Sequence, residues 1–203
     1  MTDGAGQVAE CAVVRASGGV LRLAVRSRRV EPPADPTLVV VQALPKGDRG
    51  QLAVELMTEA GVDVIVPWAA QRCVTQWRGE RGERALARWR ATAREAAKQA
   101  RRARFCEVAG LASTPEVVHA VRSAALAVLL DPGAGTALAA LPLPSSGELV
   151  LIVGPEGGPS PAEVAALTGA GAAGAHLGPT VLRTSTAGVV AASVMLSRAG
   201  RWG

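Results

Sequence analysis

The 203-residue chain has no tyrosine, a single phenylalanine and only two histidines. Its core must therefore be built from Val, Leu and Ala, and an array of aromatic platforms for stacking single-stranded bases is disfavoured. Cysteine is scarce too: Cys11, Cys73 and Cys106 are odd in number, far apart and in no CxxC pair. Neither a disulfide framework nor a zinc site is supported, so no metal is expected and a cytoplasmic location fits best. The opening MTDGAGQ lacks the basic and apolar regions of a signal peptide, and no apolar run reaches the ~18 residues of a membrane span. A soluble chain with no membrane partner is expected. GxxxxGK[ST] and GxGxxG are also absent, which disfavours a P-loop kinase and a dinucleotide dehydrogenase.

What is present is a chain 49% hydrophobic and 19% charged, enough for one good core with a small appendage. The 22 Lys+Arg against 17 Asp+Glu give a net charge of +5. With a pI near 10.0, this balance suits a polyanion such as nucleic acid.

Residues 8–27 alternate apolar and polar side chains around Ser17-Gly18-Gly19, which predicts a β-hairpin. EPPADP at 31–36 reads as a linker, because its prolines deny the backbone regular pairing. The division expected is 1–35 and 36–203. Beyond it, apolar strands at 37–44 and 62–67 flank a helix at 48–60 stopped by Gly61, with further strands at 72–76, 126–130 and 149–153. This alternation predicts an α/β domain with a mostly parallel sheet. Residues 80–104 form the longest helical candidate, placing Leu86, Trp89, Ala93, Ala97 and Ala100 on one face and Arg84, Arg88, Arg94, Lys98 and Arg102 opposite. The basic face is either a solvated surface or a rail for phosphates.

Two loops carry the chemistry. LIVGPEGGPSPAEV, 151–164, runs from a strand into a Gly/Pro-rich turn and then a helix marked by Ser160, Pro161 and Glu163, a capping box with proline at the first position. LGPTVLRTSTAG, 177–188, repeats the Gly-Pro turn, and Thr184 or Ser185 can cap a helix over 186–198 that is apolar nearly all round. Such a helix must be buried on more than one side, and a subunit interface is the economical explanation. Ligands of open α/β sheets lie beyond the carboxyl ends of the strands, where these loops sit.

With ALPKGDR (43–49), AGVDVIVP (60–67) and REAAKQARR (94–102), the two loops closely resemble the RsmE family of 16S ribosomal RNA uracil-N3 methyltransferases, over roughly residues 36–198. The resemblance implies the SPOUT methyltransferase fold: a parallel sheet with a deep trefoil knot at its C-terminal end, S-adenosylmethionine (SAM) bound in the knot, and a homodimer. Knots are otherwise almost absent from proteins, so pattern alone would not have led there. Carried over residue by residue, the first cofactor loop is Gly154, Pro155, Glu156, Gly157 and Gly158. The second is Leu177, Gly178, Leu182, Arg183 and Thr184, with Leu129 and Leu130 as part of the adenosine wall. The glycines are expected to keep side chains out of the cofactor's space.

Three departures from the family stand out: Ser185 where a glutamate is common, Cys106 where proline is usual, and a shorter N-terminal segment. The hairpin matches only the last part of the family's PUA-like β-barrel, so the start is truncated or the RNA-gripping module is reduced. The resemblance implies methylation of a uridine in 16S rRNA of the assembled 30S subunit. Two alternatives stand beside it: another RNA target such as transfer RNA, and a non-catalytic RNA-binding assembly factor. Uracil N3 must lose a proton, and a cation would stabilise the charge left on the flanking carbonyls. Arg102, matching a family arginine, is the first candidate and Arg183 the second; no base is assigned. Lys46, Arg49 and Arg72 near the strand ends, and Arg94 and Lys98 on the long helix, are the expected RNA contacts.

Overall fold

The computed structural model describes residues 1–202. The N-terminal hairpin pairs Gln7–Ser17 (β1) with Val20–Val30 (β2), antiparallel and longer than expected. Gly18 and Gly19 both take positive φ, the conformation a tight two-residue hairpin turn requires. Only the base of the hairpin is tied down: Phe105 N–H donates to Gly4 O at 2.9 Å and Arg104 Nε to Glu31 O at 2.8 Å. Val13, Leu21 and Val25 remain exposed along it.

The remainder is one six-stranded sheet. It contains Thr37–Ala43 (β3), Val64–Trp68 (β4), Glu107–Val108 (β5), Leu126–Leu130 (β6), Glu148–Val153 (β7) and Ala173–Ala175 (β8). The order is β5-β4-β3-β7-β6-β8, with every pairing parallel. The central strands are β3 and β7, and Leu38, Val40, Val41, Leu149, Leu151 and Ile152 are almost wholly buried. Covering both faces with helices is what permits such continuous apolar strands. Arg49–Ala60 (α1), Gly79–Gln99 (α2) and Thr184–Arg198 (α5) pack as one layer, while Thr114–Ser123 (α3) packs on Pro161–Gly169 (α4). The α/β class with an added hairpin is thus as expected. Among the described residues no helix is long and apolar enough to cross a membrane.

Several local expectations are corrected. Residues 72–76 form turns and loop rather than a strand, because β4 already has β3 and the short β5 as its neighbours. Thr75 instead caps the end of β3, its hydroxyl donating to Pro45 O at 2.7 Å. α2 ends at Gln99, where Arg101 turns the chain through a left-handed φ of 54°, so Ala100 and Arg102 lie outside it. Thr114, which with Pro115 next to it reads in the sequence as the cap of α3, is not its cap: Ser113 with Glu116 caps the helix, and Thr114 bridges Trp68 and Glu163. α5 begins at Thr184, so Thr184 and Ser185 are buried in its first turn rather than capping it.

Candidate active site

The carboxyl ends of β6, β7 and β8 open into a cavity of about 470 Å³. Its floor is the strand ends themselves: Leu129, Leu130 and Asp131 after β6, Val153 and Gly154 after β7, and Ala175 of β8. One wall is the loop from Gly154 to Pro159, the other the loop from Leu177 to Thr184. Sequence-distant loops meet here because parallel strands deliver their carboxyl ends to one side of the sheet.

Each loop is held by its neighbours. The capping box of α4 is present, with Ser160 N–H donating to Glu163 Oε2 at 2.8 Å and Glu163 N–H to Ser160 Oγ at 3.3 Å. The other Glu163 oxygen accepts from Gln71 N–H at 2.8 Å and Thr114 Oγ1 at 3.0 Å. Burial pushes this carboxyl's pKa up, but the donors from Gln71, Ser160 and Thr114 outweigh it and hold the group below the usual carboxylate range. Arg72 donates to Gly157 O at 3.1 Å and Pro159 O at 3.4 Å, so one guanidinium nitrogen clamps the first loop. On the far side, buried Gln42 of β3 donates through Nε2 to Thr184 O at 3.3 Å.

The glycines divide into two kinds. A Cβ on Gly154 would lie 2.6 Å from Pro159 Cδ, so this glycine is required by the fold of its own loop rather than by a ligand. A Cβ on Gly157, Gly158 or Gly178 would meet nothing within 4 Å. Gly158 has φ of 67°, where glycine is strongly favoured. At Gly158 and Gly178 the backbone therefore borders open cavity, as a flat ligand lying against main chain needs. Apolar Leu129, Leu130, Leu177 and Leu182 line the same space. A volume near 470 Å³ lies within the ~300–1,000 Å³ of small-molecule pockets, and an apolar wall with bare backbone suits an adenosine-containing cofactor.

Of the expected cofactor residues, all but Gly157 line this cavity. Glu156 also reaches outward, accepting Lys46 N–H at 3.0 Å. Arg183, exposed at the start of α5, is the only Lys or Arg lining the cavity, and its side chain meets no partner among the described residues. Asp131, Val164 and His176 also line it; His176 stands next to the second loop in the sequence, and a position just beyond a strand end is the signal for Asp131. His176 Nδ1 lies 2.9 Å from Ala134 O, which fixes its ring.

Arg102 is not brought here. Its guanidinium sits at the opposite, amino end of the sheet, donating to Thr58 O at 2.9 Å, Val62 O at 2.6 Å and Arg104 O at 3.0 Å, with Asp63 Oδ1 at 3.6 Å. Burial lowers its pKa from the ordinary arginine value, opposed by the charges of Cys106 and Asp63. Those carbonyls and Asp63 occupy the donors that a reaction-centre role would need. Lys46 and Arg49 are exposed after β3, and Arg94 and Lys98 are exposed on α2, Lys98 paired with Glu95 at 2.7 Å.

The comparisons agree with this geometry. A family model described as RNA methyltransferase domain matches residues 32–196. A protein of Mycobacterium bovis named ribosomal RNA small subunit methyltransferase E is 48% identical over 204 residues, covering 98% of this chain and 78% of that one. A methyltransferase from Legionella pneumophila, solved in complex with SAM, superposes with a TM-score of 0.85 at 26% identity, over 97% of this chain and 81% of that one. Ribosomal RNA small subunit methyltransferase E from Neisseria gonorrhoeae, bound to SAM, shares the fold with a TM-score of 0.83 at 23% identity, over 97% and 81%. With a sheet of this order, a cavity built from these loops and relatives this close, the chain belongs to the ribosomal RNA small subunit methyltransferase E family.

Proposed function

We propose that this chain methylates N3 of a uridine in 16S rRNA of the small ribosomal subunit, using SAM held in the cavity beyond β6, β7 and β8. The observation that carries the reading is the cavity itself: apolar walls, two glycine positions open to it, and a single unpartnered guanidinium, Arg183, at its edge. When bound, SAM supplies a sulfonium methyl open to in-line attack. Leu129, Leu130, Leu177 and Leu182 would hold the adenosine portion, with the backbone of Pro155, Glu156, Gly158, Gly178 and Thr184 around it. Gly157, whose carbonyl Arg72 clamps, shapes the loop from outside the cavity.

Arg183 takes the role first expected of Arg102. Placed over the uracil carbonyls, its guanidinium stabilises the negative charge that loss of the N3 proton leaves behind, and the apolar walls keep that attraction from being screened by water. Lys46, Arg49, Arg94 and Lys98 contribute phosphate contacts, which supply affinity rather than sequence choice.

The same reading includes a trefoil knot made by the two loops, supported by the way Gln42 ties the second loop to the central strand while α5 returns beneath it against α1, β3 and β7. It includes a division into residues 1–35, a partial PUA-like module, and 36–203, the methyltransferase domain. It also includes a homodimer, for which exposed Val181 at the cavity and exposed Val190 on α5 supply apolar surface.

The test is transfer of labelled methyl from SAM to small subunits of a strain lacking the enzyme, with the nucleoside identified by mass spectrometry. Label in 3-methyluridine of 16S rRNA is expected. Label in another nucleoside, or in transfer RNA alone, overturns the assignment, and a monomeric mass in solution overturns the dimer.

A further inference from the structure

A second cavity, about 530 Å³, opens beside the first, between the turn after β3, the segment 74–77 and the first half of α2. Three cations line it, Lys46, Arg81 and Arg88, against one carboxylate, Asp48. Arg81 and Arg88 stand seven residues apart on α2 and so share a helix face. None of the three side chains has a salt-bridge or hydrogen-bond partner among the described residues, unlike Arg72, Arg90, Arg102 and Arg104, whose donors are engaged by backbone carbonyls.

Two of the five aromatic side chains lie at the same place. Trp77 and Trp89 line the cavity and meet edge to face, ring centroids 5.0 Å apart at 83°. Trp77 is half-buried, and neither indole N–H finds an acceptor within the described residues, whereas Trp68 and Trp202 both do. The close fit is built: a Cβ on Gly50 would lie 2.6 Å from the Trp89 ring, so a glycine in α1 is needed to let that ring sit at the cavity edge. The two cavities share a wall, where Lys46 N–H donates to Glu156 of the first loop at 3.0 Å.

We propose that this second cavity is a nucleotide subsite for the RNA substrate, receiving a residue that neighbours the target, with its phosphates on Lys46, Arg81 and Arg88 and its base against Trp77. The inference rests on the methyltransferase reading above and adds to it the place where the strand is gripped. Unpaired cations beside an aromatic edge match what single-stranded nucleic acid presents, a phosphate and a π-face at each step. Scarcity of aromatics argued against an array of stacking platforms; it does not forbid one.

Binding of small ribosomal subunits is measured for the full chain at several salt concentrations, beside SAM affinity by calorimetry and labelled methyl transfer. The Arg81→Ala/Arg88→Ala double variant alters two exposed, unpartnered side chains and should fold normally. It is expected to bind subunits about 10-fold more weakly, with the slope of log K against log salt reduced by about 2. The Arg81→Lys/Arg88→Lys variant should retain the slope, and Trp77→Ala should weaken binding about 5-fold or more while Trp77→Phe does not. SAM affinity and the rate at saturating subunit should be unchanged. Wild-type affinity and slope in the double alanine variant would overturn the subsite while leaving the enzyme's assignment standing. A wild-type chain that binds SAM but neither binds nor methylates subunits would overturn the assignment, and the subsite with it.

Discussion

The two ends of the sheet use charged side chains in opposite ways. At the amino end, Arg102 and Arg201 converge on Asp63, which also accepts Leu38 N–H at 2.9 Å, and both guanidiniums reach backbone carbonyls around the end of α1. Each charge there is largely buried and answered, and a guanidinium at a helix carboxyl terminus complements its dipole. At the carboxyl end, Arg183, Lys46, Arg81 and Arg88 line two cavities, and none of their side chains has a hydrogen-bond or salt-bridge partner among the described residues. A basic side chain is a strut where carbonyls surround it, and is left with free donors where they do not. Sequence position alone does not separate the two cases.

The largest effect should come from breaking the amino end. Asp63→Ala leaves two mostly buried guanidiniums without their carboxylate, and loss of one partner from such a cluster costs about 3–5 kcal/mol. Urea unfolding should show that loss, and Arg102→Ala a comparable one, while SAM affinity of the folded fraction stays near wild type. If Arg102→Ala instead kept full stability and lost turnover, the contrast between the two ends would fail. At the carboxyl end the signs reverse: Arg183→Ala removes an exposed, unpaired group, so stability should move by no more than about 0.5 kcal/mol. Single-turnover methyl transfer should fall about 100-fold or more, the scale of a lost transition-state charge contact.

Gly154→Ala sharpens the comparison further, because it separates loop packing from ligand space. Its Cβ would press on the Pro159 ring at 2.6 Å, so the first loop must shift, with a stability loss of about 1–3 kcal/mol measurable without any ligand. Gly178→Ala meets no protein atom. It should leave the melting temperature almost unmoved and weaken SAM binding about 10-fold by intruding on the cavity. Equal effects at the two glycines would remove the distinction.

These contrasts also explain what the sequence made legible. β3, β4, β6 and β7 are continuous apolar runs bounded by turn residues, and the box at Ser160 and Glu163 is a local signal, so each could be read from adjacent residues. The loops were placed by the same logic, since parallel strands end together. β5 and β8, two and three residues long, carry no period to read. The placement of Arg102 is not legible because the carbonyls that hold it, those of Thr58 and Val62, lie about 40 residues away in the chain. The clamp made by Arg72 is illegible for the same reason: its partners Gly157 and Pro159 are 85 and 87 residues distant. The second cavity went unread because Arg81 and Arg88 look like any other arginines on a charged helix until the turn after β3 is placed beside them.

A further effect concerns the buried carboxylate of the carboxyl end. Glu163 is only 5% exposed, yet it faces no guanidinium; its charge is held by N–H and O–H groups from Gln71, Ser160 and Thr114. Its folded pKa lies below the reference value of 4.5, so the folded state favours the ionised form. The stabilisation is therefore fully present above pH 4.5 and is lost as pH falls through the folded pKa. Glu163→Gln should cost about 1–2 kcal/mol at neutral pH, the scale of a weakened charge-assisted hydrogen bond, and should flatten that part of the acid limb. Because the partners are neutral dipoles, the loss should be nearly independent of salt, unlike any long-range charge effect. A Glu163→Gln chain that keeps the wild-type acid limb would show that Glu163 titrates normally, and that the first loop is secured by Arg72 and the Ser160 cap rather than by this carboxylate.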